Sequence, residues 1–465
     1  MNERSRILRG SARAVTGLLV VGAAATAVVL LGNTTLPEVT RAPEPIVVDT
    51  TQNTNRTLVC AGAFGVLGAD PDRPGATIPT GAPAVAVAGT AAGSSSLTRV
   101  EGGDGLPAVL SAPIADPLAA GQIQAVESES LRGVVGSACA EPLNEQWLIG
   151  GGSSLGVSTT LSLGNPGAVP ATVEISVFDE NGAVDAVQTA GVLVGAGAEQ
   201  TVSLNGYAPD RERLAVRIVS TGGPVTASLG VGQSMGIEPF AVSSVTRQVA
   251  PQTQLVIPGL ANESDHERGP SDSGEGDDFP VLVRALAPGE TGGELRARAI
   301  DDSGKSTDLG SLELVPGAVE ELSIAVWPES AHAMVIDSDV PVIATAQGSA
   351  TKGKEHDYEW FAPAPELGAD VPVAAPIVSG GQLVLANTGE EAATVEVRSS
   401  SGSGKPREHT VAAGASVTVK APADALLTSS QPLYAGVRYL QGGDLAGYPV
   451  LAPDPRDGEL TVYTR

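Results

Sequence analysis

The 465 residues carry 27 Lys and Arg against 53 Asp and Glu, a formal charge of −26 at pH 7. A surface this acidic repels phosphate backbones and anionic lipid headgroups, which excludes nucleic-acid binding. Aromatic residues make up only 3% of the chain, while 57 Gly and 34 Pro interrupt it every few positions, the pattern of many short strands.

The first element is an anchor. Arg4, Arg6, Arg9 and Arg13 precede an uncharged run from Ala14 to Gly32. Nineteen helical residues rise about 29 Å, close to the thickness of a hydrocarbon core. The run therefore predicts one N-terminal transmembrane helix, with a cytoplasmic basic tail at 1–13 and everything after it extracytoplasmic. A cleaved signal peptide is the rival reading, because Ala23, Ala25 and Ala27 loosely resemble a cleavage site. Those small residues lie inside the apolar run, so the retained anchor is preferred. Residues 33–55, with Pro37, Pro43 and Pro45, read as a linker.

About 410 residues follow, too many for one core and suited to several domains. Composition and turn spacing predict an all-β protein of tandem antiparallel β-sandwich, Ig-like modules behind the anchor. The expected modules are 56–145, 146–250, 251–357 and 358–465. Cys60 and Cys139 bracket the first, and an even cysteine count in an exported chain predicts a disulfide between them. A metal pair or two free buried thiols are the alternatives.

The second module opens at Trp147. Gly152-Ser153-Ser154-Leu155-Gly156 then satisfies the G-x-S-x-G pattern, but Val157–Leu163 alternates as a strand, where a nucleophile elbow needs a helix. Next comes Leu161-Ser-Leu163-Gly-Asn165-Pro-Gly167 with Ala171-Thr-Val-Glu-Ile175. The same phrase returns as Leu383-Val-Leu385-Ala-Asn387-Thr-Gly389 with Ala393-Thr-Val-Glu-Val397. Each copy is two alternating stretches around an Asn-Gly turn, which predicts a β-hairpin. A later landmark marks three copies: Pro224-Val-Thr-Ala227, Pro341-Val-Ile-Ala344 and Pro432-Leu-Tyr-Ala435, each opening a strand. In the third module the first phrase shrinks to Val281–Val283 and Leu295–Ile300. Joints at Pro251–Gln254 and Ala364–Pro365 permit either an extended rod or a folded-back bundle.

Candidate sites are few. An acidic loop from Asn262 to Asp278 holds Asp272, Glu275, Asp277 and Asp278, carboxylates suited to calcium but without the alternating order of a calcium loop. Charge-rich Gly/Ser segments are more often simply solvated. Trp147, Trp327 and Trp360 are the candidates for a sugar-stacking platform. Large anchors filling sandwich cores are the preferred alternative in so aromatic-poor a chain. His266, His332, His356 and His409 show no zinc spacing, and neither a phosphate loop nor a redox C-x-x-C occurs. No catalytic residue, metal or cofactor is predicted, and the chain reads as a non-enzyme.

Cys139-Ala-Glu-Pro142, Trp147, Gly150-Gly-Gly152 and the Leu161–Gly167 phrase with Ala171-Thr-Val173 together resemble an actinobacterial family. Its members have one N-terminal membrane segment and an external β-rich region of unknown function. The resemblance is strongest over residues 135–235. It implies a cell-envelope setting, with envelope proteins, among them a membrane glycosyltransferase, as partners. The function expected is a membrane-tethered scaffold or accessory protein of envelope assembly. The alternative is a protein of cell-wall glycan-binding modules.

Overall fold

Alternation of buried and outward residues builds most of the strands. In Val157–Asn165, Leu161 and Leu163 point inward while Ser162 does not. In Ala171–Asp179, Val173, Ile175 and Val177 are buried and Glu174 is exposed. The computed structural model describes Leu19, Val21–Ala23, Thr26, Pro45–Asp49, 55–453 and 459–463, apart from 69–71, 73–75, 100–101, 103, 186–190, 237, 265–278 and 354.

The chain divides into two units. One comprises 1–52 and 456–465; in it Pro45–Asp49 pairs antiparallel with Glu459–Tyr463, Pro45 opposite Tyr463. The C-terminal strand is therefore not part of the last sandwich, as expected from the sequence, but of this ribbon. Leu19, Val21–Ala23 and Thr26 are helical. No helix among the described residues is long and apolar enough to cross a membrane. Most of the Ala14–Gly32 run lies outside the described residues.

The second unit, 53–455, holds four groups of antiparallel sheets. In the first group, Asn55–Val59, Ala108–Pro113 and Gly93–Ser96 form one sheet. Ala84–Gly89, Leu118–Glu127 and Arg132–Ala138 form another. Their shared core is small: Leu58, Leu110, Ala112, Leu118, Ala120 and the two cysteines. Cys60 and Cys139 are joined by a disulfide, 79 residues apart in sequence.

The second group has eight strand positions. In chain order they are Glu145–Ile149, Val157–Asn165, Ala171–Asp179, a fourth split into Gly182–Ala183 and Val192–Val194, Ala198–Ser203, Ala215–Thr221, Thr226–Met235 and Glu238–Val245. One sheet takes them in the order first, sixth, third, fourth; the other in the order fifth, second, seventh, eighth. The fourth group repeats this order from Val373–Pro376 to Asp444–Pro449. The third group does so too, but Ala331–Lys352 serves as both sixth and seventh strands, pairing through its first half with Gly293–Asp301 and through its second with Val281–Leu286.

The repeated Leu-x-Leu-x-Asn phrase is not the hairpin expected from the sequence. Its two strands occupy opposite sheets, so the turn is an arch across the core. Strands at an arch lack each other as ladder partners, and a buried Asn supplies the missing bonds. Asn165 Nδ2 donates to the Val169 and Val194 carbonyls (2.8 and 3.1 Å), and its Oδ1 accepts from the Gly167 amide (2.9 Å). Asn387 does the same with Glu391, Val411 and Gly389. The Pro-aliphatic-Ala landmarks stand where the chain steps from the sixth to the seventh strand, and so from one sheet to the other. Ala227, Ala344 and Ala435 are buried there.

Every group ends in a hairpin whose last strand faces the middle of the unit. These closing strands are Arg132–Ala138, Glu238–Val245, Glu355–Phe361 and Asp444–Pro449. The first packs on the second and fourth, and the third packs on the same two, which closes a ring. Small residues permit the approach: a Cβ on Gly136 would lie 3.2 Å from the Cβ of Ala446. Side chains also cross between groups. Tyr358 and Trp360 of the third closing strand enter the core of the second group, and Leu445 of the fourth enters that of the third.

Candidate functional site

At the centre of the ring sits Asp357, fully buried. Its Oδ2 accepts from the Val134 amide of the first group (2.9 Å) and the Leu445 amide of the fourth (3.2 Å). Its Oδ1 accepts from Val242 of the second group (3.4 Å) and from Tyr358 of its own (3.0 Å). One carboxylate thus ties four groups through backbone donors alone. Burial pushes its pKa well up, and the amides of Val134, Leu445 and Val242 work against that shift. Gly133, at φ 131°, makes room: a Cβ there would lie 2.4 Å from Asp357 Oδ1.

Two further groups surround it. Glu359, also fully buried, has no hydrogen-bond partner for either carboxylate oxygen among the described residues. Burial, then the Asp357 charge, raises its pKa well above the usual range. The His356 ring stacks on Phe240 at 3.9 Å and lies 4.1 Å from Phe279. Burial first, and the Arg132 charge second, lower its pKa to about 4, so the ring is neutral near pH 7. Arg132 itself reaches Glu355 and Asp444, each at 3.5 Å, on the rim. Both carboxylates are sealed from solvent, and Asp357 is the one whose bonds hold strands of different groups together.

The residues singled out from sequence are elsewhere. The three tryptophans are buried, at 5%, 6% and 2% exposure for Trp147, Trp327 and Trp360, and no sugar can stack on them. Trp147 lies between the second and third groups with Leu286, Val319 and Ile343. Trp327 fills the third core, and Trp360 carries the Arg284 guanidinium 4.6 Å from its ring. Ser153 of the G-x-S-x-G pattern is buried; it donates to the Ala208 carbonyl and accepts from the Arg211 amide at 3.0 Å. It is a loop fastener. Asp272, Glu275, Asp277 and Asp278 lie outside the described residues. Among those described, no group of three or more His, Cys, Asp or Glu stands ready for a metal ion.

Sequence reasoning passed over the segment that matters most. Glu355-His-Asp-Tyr-Glu-Trp-Phe361 carries Asp and Glu on alternate positions of an interior strand, between aromatic residues. Charges on the inward face of a strand are costly unless paired, and that conflict was the available signal.

Fold and junction together define an all-β protein of antiparallel sheet groups locked around buried carboxylates. The chain belongs to DUF5719, a family of unknown function, which it matches over residues 78–422. No curated protein matches it. Among solved structures it is similar to a tetra-tandem repeat from the extending region of a large adhesion protein, at 12% identity over 78% of this chain and 90% of that one. The TM-score is 0.11, so that likeness carries nothing further.

Proposed function

We propose that this chain is a rigid, non-catalytic platform, tethered by one N-terminal helix outside the cell membrane, that docks partner proteins of envelope assembly. The observation behind this reading is the Asp357 junction. A carboxylate that collects amides from three other groups costs burial energy and serves only to fix their mutual geometry. Fixed geometry is what a docking platform needs, because partners then meet a preformed surface without ordering cost. The extracytoplasmic placement is supported by the Cys60–Cys139 disulfide, since such bonds persist in oxidising compartments. The arginine-flanked apolar run supports the tether. The groups are Ig-like in their two-sheet design, but in the second, third and fourth the first strand pairs with the sixth and the last two pair onto the second. Partners expected from the family resemblance are membrane proteins of the envelope, a glycosyltransferase among them.

In-cell crosslinking of the tagged full chain, with mass spectrometry of the captured peptides, tests the reading. Reproducible links from 56–453 to one membrane assembly protein support it. Retention on wall polymer with no protein links would overturn it.

A further inference from the structure

An open sheet edge is a template for another strand, and folded chains blunt their edges with charges, register shifts or very short strands. The fourth strands of the later groups follow that rule. The second group's is split in two. Ser306–Leu314 in the third carries Asp308 and Glu313 and pairs across a register shift, and Arg407–Val411 in the fourth carries Arg407 and Glu408. Ala84–Gly89 of the first group has none of these devices. It pairs only with Leu118–Glu127, in unbroken register, and reads Ala-Val-Ala-Val-Ala-Gly. No residue between Arg73 and Arg99 is charged.

The ladder decides which backbone groups are free. The N–H and C=O of one strand residue point to the same side, and successive residues alternate. The Cys139 amide donates to the Ala120 carbonyl at 2.8 Å, so Ala120 turns away from Val87, which stands opposite it. Ala84, Ala86 and Ala88 therefore bond to Leu118–Glu127, while Val85, Val87 and Gly89 aim outward. Gly89 agrees with this parity, because its amide donates to Ser400 Oγ of the fourth group at 3.0 Å. At the other end Pro83, next in the same alternation, has no N–H to offer. Between these two stops, Val85 and Val87 each present one donor and one acceptor with no partner among the described residues. Val85 is 40% exposed.

This open stretch is complementary to itself. Set antiparallel to a second copy, with a twofold axis at Ala86, Val85 stands opposite Val87 of the second copy. Both residues point at each other, so the two pairs make four backbone hydrogen bonds and use every free group. The two Ala86 residues meet on the axis as a non-hydrogen-bonded pair, with Cα atoms about 4.5 Å apart. With no charge on the strand, two acidic chains can meet there, since charges more than about 10 Å away are screened by salt. We propose that the chain pairs reversibly with a second copy of itself through Ala84–Ala88, which joins two three-stranded sheets across a twofold axis. The inference goes beyond the docking function, which requires no second copy.

Sedimentation velocity of the purified full chain in detergent, together with disulfide trapping, tests it. Concentration-dependent dimers are expected. Ala86→Cys should give a covalent dimer under mild oxidation, because the separation at the axis suits a disulfide. Ala84→Cys is the control: it is more exposed, but it stands opposite Ala88 of the second copy, and it should crosslink about ten-fold more slowly. Val85→Pro removes an outward N–H and leaves the ladder to Leu118–Glu127 intact. It deletes two of the four bonds, one from each copy, and should weaken pairing about thirty-fold with an unchanged melting temperature. Three outcomes would overturn the proposal: a chain monomeric at every concentration its solubility allows, Ala84→Cys crosslinking as fast as Ala86→Cys, or a folded Val85→Pro chain that pairs as tightly as the parent.

Discussion

Replacing Asp357 with Asn keeps the shape of the side chain and removes one of two acceptor oxygens. In either orientation of the amide, two backbone N–H groups then face an N–H₂. With the present bonds these are the Val134 and Leu445 amides, or the Val242 and Tyr358 amides. A buried donor left unpaired costs about 1–3 kcal/mol, so two cost about 2–6 kcal/mol. Relief of the buried charge offsets part of this, and a net loss of about 2–4 kcal/mol is expected at pH 8. Because the lost bonds join different groups, the unfolding transition should also broaden, lowering the denaturant slope. Urea titration followed by far-UV circular dichroism reads both quantities. The exposed Glu174→Gln serves as the control and should stay within about 0.5 kcal/mol of the parent. An Asp357→Asn chain as stable as the parent, with the same slope, would refute the reasoning.

Glu359→Gln should go the other way. A carboxyl whose folded pKa is raised contributes its stability below the unfolded value of about 4.3, and loses it as pH rises through the folded value. The variant should therefore match the parent near pH 4 and exceed it at pH 8, as denaturation at the two values will show. His356 has the opposite sign: its folded pKa of about 4 lies below the unfolded value, so its contribution is intact above about pH 6.5 and falls in acid. Between pH 7.5 and pH 5 that amounts to about 2 kcal/mol. His356→Phe, which keeps a ring against Phe240, should remove this acid-side loss from the pH–stability curve. Reduction of Cys60–Cys139 frees a 79-residue loop and should cost about 4 kcal/mol, measured as a lower melting temperature in a phosphine reductant. An unchanged melting temperature with titrated free thiols would contradict it.

The all-β class was legible in strand alternation at Leu161–Leu163 and Val173–Val177, and the disulfide in the cysteine count. The internal repeat was legible too, but its geometry was not. An Asn-Gly turn between alternating strands has one local pattern, whether the strands pair with each other or diverge to opposite sheets. The distant ladder partners distinguish the two: Leu161 pairs with Val202 and Leu229, and Val173 with Val192 and Ser220. The junction was invisible for a different reason. Asp357 meets Val134 across 223 residues of sequence, and nothing in either segment names the other. The tryptophans were legible as large core anchors, the reading preferred in so aromatic-poor a chain, and their burial agrees with it; which cores they would lock together was not legible. Trp147 and Trp360 are locks.

Native-state hydrogen exchange at three amides, Val134, Val242 and Leu445, tests most directly that four sheet groups form one rigid body. Each belongs to a different group, and each donates to Asp357. If the ring opens only as a whole, the three exchange with one shared free energy, equal to that of global unfolding, and shift together in Asp357→Asn. Three separate opening energies, each following its own group, would mean that the groups move independently and that the platform does not exist.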